Sequence, residues 1–210
     1  MKEVHEKNNE RAVLVGVSCP GLADFDDSTD ETMDELSELL HTAGGEEVLR
    51  AVQNRGTPDP HTFIGEGKAH ELRELIAANE LGLAVFDNEI SPSQTRALEK
   101  ELNCRVIDRN ALILDIFADR AKTSEGKLQV ELAQYQYILP LLSGMWGHLV
   151  RQTASGGKSP IGTRGPGETQ LETDRRHIRR KIQKLREEIE TVRRVRGVQR
   201  GKREKSEVPL

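Results

Sequence analysis

The chain has 210 residues, a formal net charge of -4 and only 3% aromatic residues. This length allows one or two domains, and residues 1–150 are long enough to bury a core of their own. The longest clearly apolar run, Ala12–Val17, is far shorter than the roughly 20 residues that span a bilayer, which excludes a membrane protein. Cys19 and Cys104 are far apart and lack metal-type spacing, which favours two reduced thiols in a cytoplasmic protein.

The net charge is the sum of two unlike parts. Residues 1–150 carry 14 Lys and Arg against 27 Asp and Glu, a charge of -13, whereas residues 151–210 carry 17 against 8, a charge of +9. An asymmetry of this size predicts a polyanionic partner for the basic end of the chain.

Strands alternate with helices in the first 110 residues. The predicted strands are Arg11–Val17, Glu46–Val52, Leu83–Asp87 and Cys104–Asp108. The predicted helices begin after the caps Ser28-Thr29 and Ser91-Pro92, and a further helix covers Lys68–Glu80. This alternation is typical of parallel βαβ units, so we expect residues 1–110 to form an α/β domain, a small parallel sheet flanked by helices.

The pattern becomes purely helical after Arg109. A helix is predicted over Ala111–Ala121, and apolar residues then recur at alternating steps of four and three. The first such stripe consists of Leu128, Leu132, Tyr135, Leu139, Leu142, Trp146 and Leu149, and the second of Leu171, Ile178, Ile182, Leu185, Ile189 and Val192. Pro140 is expected to kink the first helix. Because neither helix can bury its stripe alone, residues 111–210 are predicted to form a long antiparallel helical hairpin resembling a coiled coil.

The predicted loop between these helices, residues 151–167, contains five glycines and two prolines. It is longer than ordinary helix connections, so it is either a flexible tether or a functional segment at the tip of the hairpin. Its three basic residues, Arg151, Lys158 and Arg164, are its only charged residues. Glycines such as Gly165 and Gly167 let the backbone approach a phosphate or base closely, so such a tip is suited to contact folded RNA.

The second helix is strongly basic. Its segment Arg175–Arg186 holds seven basic residues and no acidic one. Such a run is either the solvated face of a coiled coil or a phosphate-binding surface, and the lack of acids favours phosphate. The candidate RNA contacts on this helix are Arg175, Arg176, Arg179 and Arg180.

Nucleotide-binding motifs are weak or absent. Gly156-Gly157-Lys158-Ser159 resembles the end of a P-loop, but it lacks the earlier glycine and is followed by Pro160. Gly65, Gly67 and Lys68 at a helix start form a possible nucleotide or anion site, although a plain turn with a cap is favoured. A Mg²⁺ or phosphoacceptor site at Asp24, Asp26 and Asp27 is less favoured than an acidic surface loop. We find no catalytic constellation and predict no metal site.

Several longer segments carry a resemblance to a known family. They are Thr62–Lys68, Val85–Pro92, Val106–Arg109, Leu112–Phe117, Glu125–Gln134 and, most specifically, Gly162–Arg176. Over residues 10–210 the sequence resembles the N-terminal part of the HflX family of ribosome-associated GTPases.

The resemblance implies an α/β subdomain, a helical hairpin and then a GTPase domain that binds GTP and Mg²⁺. It also implies binding to the large ribosomal subunit and its RNA, with the hairpin loop near the peptidyl-transferase region, and dissociation or rescue of ribosomes. Some members bind ATP through the N-terminal region, which would involve Gly65–Lys68. The motifs of the GTPase domain are absent here, so we expect the chain to stop where that domain begins and to contact it in the longer protein. The rival hypotheses are a stand-alone nucleotide-binding domain and a helical protein-interaction module.

Overall fold

Four parallel strands form a sheet in the order β2-β1-β3-β4. The strands are β1 (Glu10–Ser18), β2 (Gly45–Asn54), β3 (Leu83–Phe86) and β4 (Arg105–Asp108). The central strand β1 is buried on both faces because its run Ala12–Val15 is continuously apolar and at most 1% exposed. The predicted small parallel sheet with flanking helices is confirmed.

The computed structural model describes residues 10–19, 28–154 and 166–204, and the side chains of 10–19, 28–142 and 173–201. It divides into two units, Met1–Ile116 and Phe117–Leu210. The first unit ends later than the predicted limit at residue 110, because Leu112 and Ile116 are buried in its core.

Helices cover both faces of the sheet. They are α1 (Asp30–Ala43), α2 (Glu66–Ala78), α3 (Pro92–Leu102) and α4 (Arg109–Arg120). One core contains Val13, Leu72 and Leu98, from β1, α2 and α3, and the other contains Leu14 and Met33, from β1 and α1. The chain leaves β1 toward β2 on one side and later crosses to β3 on the other. The carboxyl ends of β1 and β3 therefore form the topological switch point, where open α/β sheets usually bind ligands.

Predicted caps fix the helix starts. The Thr29 side chain accepts a hydrogen bond from the Thr32 amide, and the Ser91 side chain accepts one from the Gln94 amide. Gly44 ends α1 with a φ of 89°, a left-handed conformation that glycine adopts without strain.

Two long helices form the second unit, α5 (Ser124–Ala154) and α6 (Pro166–Glu204). They contact each other, and Ile182, Leu185 and Ile189 of α6 are buried. Among the residues that the structure describes, no helix is both long and apolar enough to cross a membrane.

The predicted loop over residues 151–167 is too long at both ends. Arg151–Ala154 continue α5, because the glycine run begins only at Gly156. Pro166 and Gly167 begin α6, because the fixed φ of proline suits a first helical position. Pro140 lies inside α5, and its predicted kink stays a prediction.

Gly16 provides a test of the packing between β1 and α1. A Cβ at Gly16 would lie 2.7 Å from Ser28 Cβ and 2.8 Å from Met33 Sδ, whereas a Cβ at Gly82 would meet nothing within 4 Å. Gly16→Ala is expected to lower the free energy of unfolding by about 1–3 kcal/mol through overpacking. Chemical denaturation of the two variants measures this, and an equal effect of Gly82→Ala would contradict the packing argument.

Candidate nucleic-acid interface

The apolar stripe of α6 decides which of its basic residues face solvent. Ile182, Leu185 and Ile189 are 4–7% exposed, and Ile178 and Val192 are half-buried. These residues follow the predicted steps of four and three, so they lie on one side of the helix. Trp146, Leu149 and Leu171 of the predicted stripes lie outside the residues whose side chains are described.

Arg175 differs from its basic neighbours because it lies on the apolar side. It precedes Ile178 by three residues and Ile182 by seven, which is the spacing of the stripe itself. It is half-buried, and its Nε is fully buried and has no hydrogen-bond partner among the described residues. The structure therefore separates Arg175 from the exposed candidates, and its predicted RNA contact stays a prediction.

Arg176, Arg179 and Arg180 are exposed. Within the described part of the chain, Arg179 and Arg180 form no ion pair. Because no carboxylate of the described residues pairs with these two guanidinium groups, their charge is available to an external anion.

Other basic residues of α6 are engaged within the protein. The Lys181 Nζ donates a 2.7 Å hydrogen bond to the Tyr135 hydroxyl, lies 3.2 Å from a carboxylate oxygen of Glu131 and sits 4.9 Å from the centre of the Tyr135 ring. The hydrogen bond to Tyr135, followed by that to Glu131, raises the pKa of Lys181. Arg196 pairs with Glu125. These cations pair with residues of α5, so they stabilise the contact between α5 and α6 instead of binding an external ligand.

Most of the predicted tip lies outside the residues that the structure describes. Lys158, Arg164 and Gly165 lie outside the described residues. Arg151 and Gly167 lie in α5 and α6, but the Arg151 side chain is outside the description.

A buried polar network occupies the switch point of the sheet. Asp87 follows β3 directly and its side chain is 5% exposed. It accepts hydrogen bonds from Ser28 Oγ at 2.9 Å, Thr32 Oγ1 at 2.6 Å and Arg109 Nη1 at 3.0 Å. The other Arg109 branch lies 2.6 Å from Glu35.

Asn88 fills the space beside this network. Its Oδ1 accepts from the Val17 amide at 2.8 Å and its Nδ2 donates to the Val17 carbonyl at 3.0 Å. The crevice is thus occupied by the chain's own side chains. Among the described residues no group of three or more His, Cys, Asp or Glu could hold a metal ion, and Asp24, Asp26 and Asp27 lie outside them.

The possible anion site at the start of α2 is engaged internally. The Gly65 amide donates to Gln53 Oε1 at 2.8 Å, and Lys68 Nζ lies 2.9 Å from a carboxylate oxygen of Glu71. Gly67 is open to solvent, since a Cβ there would meet nothing within 4 Å. Two of the three predicted groups therefore already have partners within the chain.

Two family models match the chain in succession. A family described as "GTP-binding GTPase N-terminal" matches residues 30–118, and one described as "GTP-binding GTPase Middle Region" matches residues 120–203. The limit between them falls close to the division between the two structural units.

Curated relatives named GTPase HflX match nearly the whole chain. The relative from Flavobacterium psychrophilum is 45% identical over 97% of this chain and 48% of its own length. The relative from Escherichia coli is 45% identical over 95% of this chain and 45% of its own length. The chain thus spans slightly less than half the length of these relatives.

Solved structures share the fold. The crystal structure of SsGBP with GDP has a TM-score of 0.62 at 20% identity and covers 90% of this chain and 45% of that chain. A GTP-binding protein from Sulfolobus solfataricus, also with GDP, has a TM-score of 0.57 at 20% identity and covers 88% of this chain and 46% of that chain.

The network at the switch point predicts unequal effects for two carboxylates that share Arg109. Asp87→Ala leaves a half-buried guanidinium and two hydroxyl groups without their common acceptor, so the free energy of unfolding should fall by about 3 kcal/mol. Glu35 is 62% exposed, and Glu35→Gln should cost less than about 1 kcal/mol. Denaturant titration compares the two variants, and equal losses would contradict a buried role for Asp87.

Proposed function

We propose a function from one premise: this chain belongs to the HflX family of GTP-binding proteins and carries the family's N-terminal and middle regions. On this premise the helical unit binds RNA of the large ribosomal subunit. The observation that carries the proposal is the exposed arginine cluster Arg176, Arg179 and Arg180 on α6.

The chemistry of these side chains suits RNA phosphate. A guanidinium group offers paired donors that match two phosphate oxygens, and it stays charged at any physiological pH. Phosphate contacts of this kind release counterions and supply most of the affinity for nucleic acid. Basic residues that pair with α5 could not bind phosphate in this way. Arg179 and Arg180 are exposed and form no ion pair among the described residues, so they can.

The contacts between α5 and α6 support an antiparallel hairpin. Glu125, near the start of α5, pairs with Arg196, near the end of α6. Glu131, further along α5, pairs with Lys181, which is earlier in α6. This opposite progression favours a tip between Ala154 and Pro166, the segment that contains Lys158 and Arg164. Ala154 and Pro166, which end α5 and begin α6, then lie at the same end of the hairpin as the exposed arginines.

The acidic first unit has a different role in this proposal. Its charge disfavours contact with RNA, so it orients the hairpin and contacts the GTPase domain of the longer protein. That domain binds GTP and Mg²⁺ and uses hydrolysis to dissociate or rescue ribosomes in the cytoplasm. The relatives are about twice as long as this chain, which supports assigning RNA binding to the helical unit and GTP hydrolysis to a separate domain. A stand-alone nucleotide site is less favoured, because the Gly65 amide and Lys68 already have partners.

Co-sedimentation with purified large ribosomal subunits tests the proposal. The chain should pellet with large subunits, and its affinity should fall steeply as salt rises. Replacing Arg176, Arg179 and Arg180 together with glutamine removes up to three phosphate contacts. The slope of log affinity against log salt should therefore decrease by about 0.7–0.9 for each phosphate that is no longer neutralised.

Lys184→Gln is the matched control for this experiment. Lys184 lies on the same helix, is exposed and pairs with Glu188, so its removal should leave the slope almost unchanged. Absence of pelleting, binding that does not depend on salt, or equal effects of the triple variant and the control would overturn the proposal.

A further inference from the structure

Among the described strands, β2 has a neighbour on one side only, so its other edge is open. β2 has ten residues, whereas β4 at the opposite border of the sheet has four. Its pairing with β1 is regular from Leu49 to Asn54, beyond the irregularity opposite Ala12 and Val13. Proteins usually protect such an edge with a proline, a lysine or a very short strand. β2 contains no proline and no lysine, so its edge remains competent to pair with a further strand.

The hydrogen bonds to β1 show which backbone groups of β2 face the open edge. The amide of Arg55, directly after β2, donates to the carbonyl of Ser18 in β1 at 2.9 Å. Because backbone direction alternates along a strand, the amides and carbonyls of Arg50, Val52 and Asn54 point away from β1. Among the described residues these backbone groups have no hydrogen-bond partner. They form a row of donors and acceptors that an added strand would satisfy.

The charge beside the open edge is acidic. α1 holds five acidic residues, one of which pairs elsewhere, and β2 holds two, whereas the only lysine or arginine in these two elements is Arg50. Arg50 is already neutralised, because its guanidinium lies 2.6 Å from Asp34 and 2.8 Å from Glu47. Glu38 follows Asp34 by four residues, so the two lie on the same side of α1. Glu38 and Glu46 are exposed and form no ion pair among the described residues.

Val52 defines the shape that an added strand must match. Its side chain is 37% exposed and lies on the same face of the strand as that of Arg50, the face against which α1 packs. An apolar residue opposite Val52 would cover it, and lysines two positions to either side would approach the carboxylates of α1. A second copy of this chain fits less well, because its acidic residues would come next to those of the first copy.

We propose that the open edge of β2 binds an extended protein segment rich in lysine or arginine, which adds a strand to the sheet. Hydrogen bonds to the backbone of Arg50, Val52 and Asn54 supply affinity, and Glu38 and Glu46 select basic side chains. The inference does not depend on the RNA contact of α6. It gives the acidic first unit a basic protein partner of its own.

Val52→Pro is the sharpest variant because it removes an outward amide and leaves the pairing with β1 intact. Proline is tolerated on an edge strand where the missing N–H would face solvent. Val52→Lys keeps the amide but places a positive charge beside the edge, where it repels a basic segment. Thermal unfolding establishes that both variants fold, and if Val52→Pro does not fold, Val52→Lys decides the test.

Glu38→Gln tests the selection by charge. It removes one exposed carboxylate beside the edge, and Glu74→Gln is the matched control, since Glu74 is a 72% exposed glutamate on α2. Loss of one exposed charge contact should lower the affinity for a basic peptide by about two- to fivefold. The control should bind as the original chain does.

Fluorescence anisotropy of the full chain measures these affinities with a labelled peptide of alternating lysine and threonine around one central valine. This peptide should bind saturably, and its counterpart with glutamate in place of lysine should not bind. Val52→Pro and Val52→Lys should each lower the affinity by about fivefold or more. Amide hydrogen exchange gives a second readout, since the peptide should slow exchange at Arg50, Val52 and Asn54 and leave Ala51 and Gln53 unchanged.

Three results would overturn the inference: no binding of the lysine peptide, equal binding of both peptides, or unchanged affinity in the folded Val52 variants. Sedimentation of the chain without peptide tests the other occupant. A dimer that Val52→Pro abolishes would assign the edge to a second copy of the chain and would likewise overturn the inference.

Discussion

The apolar contact between α5 and α6 determines the arrangement of charge in the second unit. Ile182, Leu185 and Ile189 leave water together, and each such side chain contributes about 1.5–3 kcal/mol when fully buried. Their burial fixes the rotation of α6 about its own axis. That rotation directs Arg179 and Arg180 to solvent and places Lys181 against Glu131. The same basic helix therefore contains residues that hold the unit together and residues that remain available to an anion.

Much of the first unit could be predicted from local sequence because its signals are local. The continuous apolar run of β1 indicates a strand buried on both faces, and Thr29 and Ser91 mark helix starts through caps within three residues. The order of the strands could not be predicted, since it depends on which edge each crossover reaches. The network around Asp87 could not be predicted either. Its partners Ser28, Thr32 and Arg109 are distant in sequence, and an Asp-Asn pair after a strand has no diagnostic spacing.

The basic helix shows where sequence reasoning is limited. A run of basic residues indicates a phosphate-binding surface, but it does not tell which of them turn inward. Arg175 has the spacing of the apolar stripe, and its buried Nε shows that the stripe continues through it. The contact between the two helices thus shows which basic residues of α6 face inward, which composition alone cannot show.

Site-directed hydroxyl-radical probing tests the central claim, that the outward face of α6 contacts large-subunit RNA. An iron chelate tethered at Gln183→Cys would sit on the exposed face between Arg180 and Arg186. The native thiols interfere little, because Cys19 is buried and burial, followed by the charge of Glu99, raises the pKa of Cys104 to about 11. The account predicts discrete cleavages in large-subunit RNA that excess unlabelled chain abolishes. Cleavage that is absent, or that is spread evenly over both subunits, would contradict it.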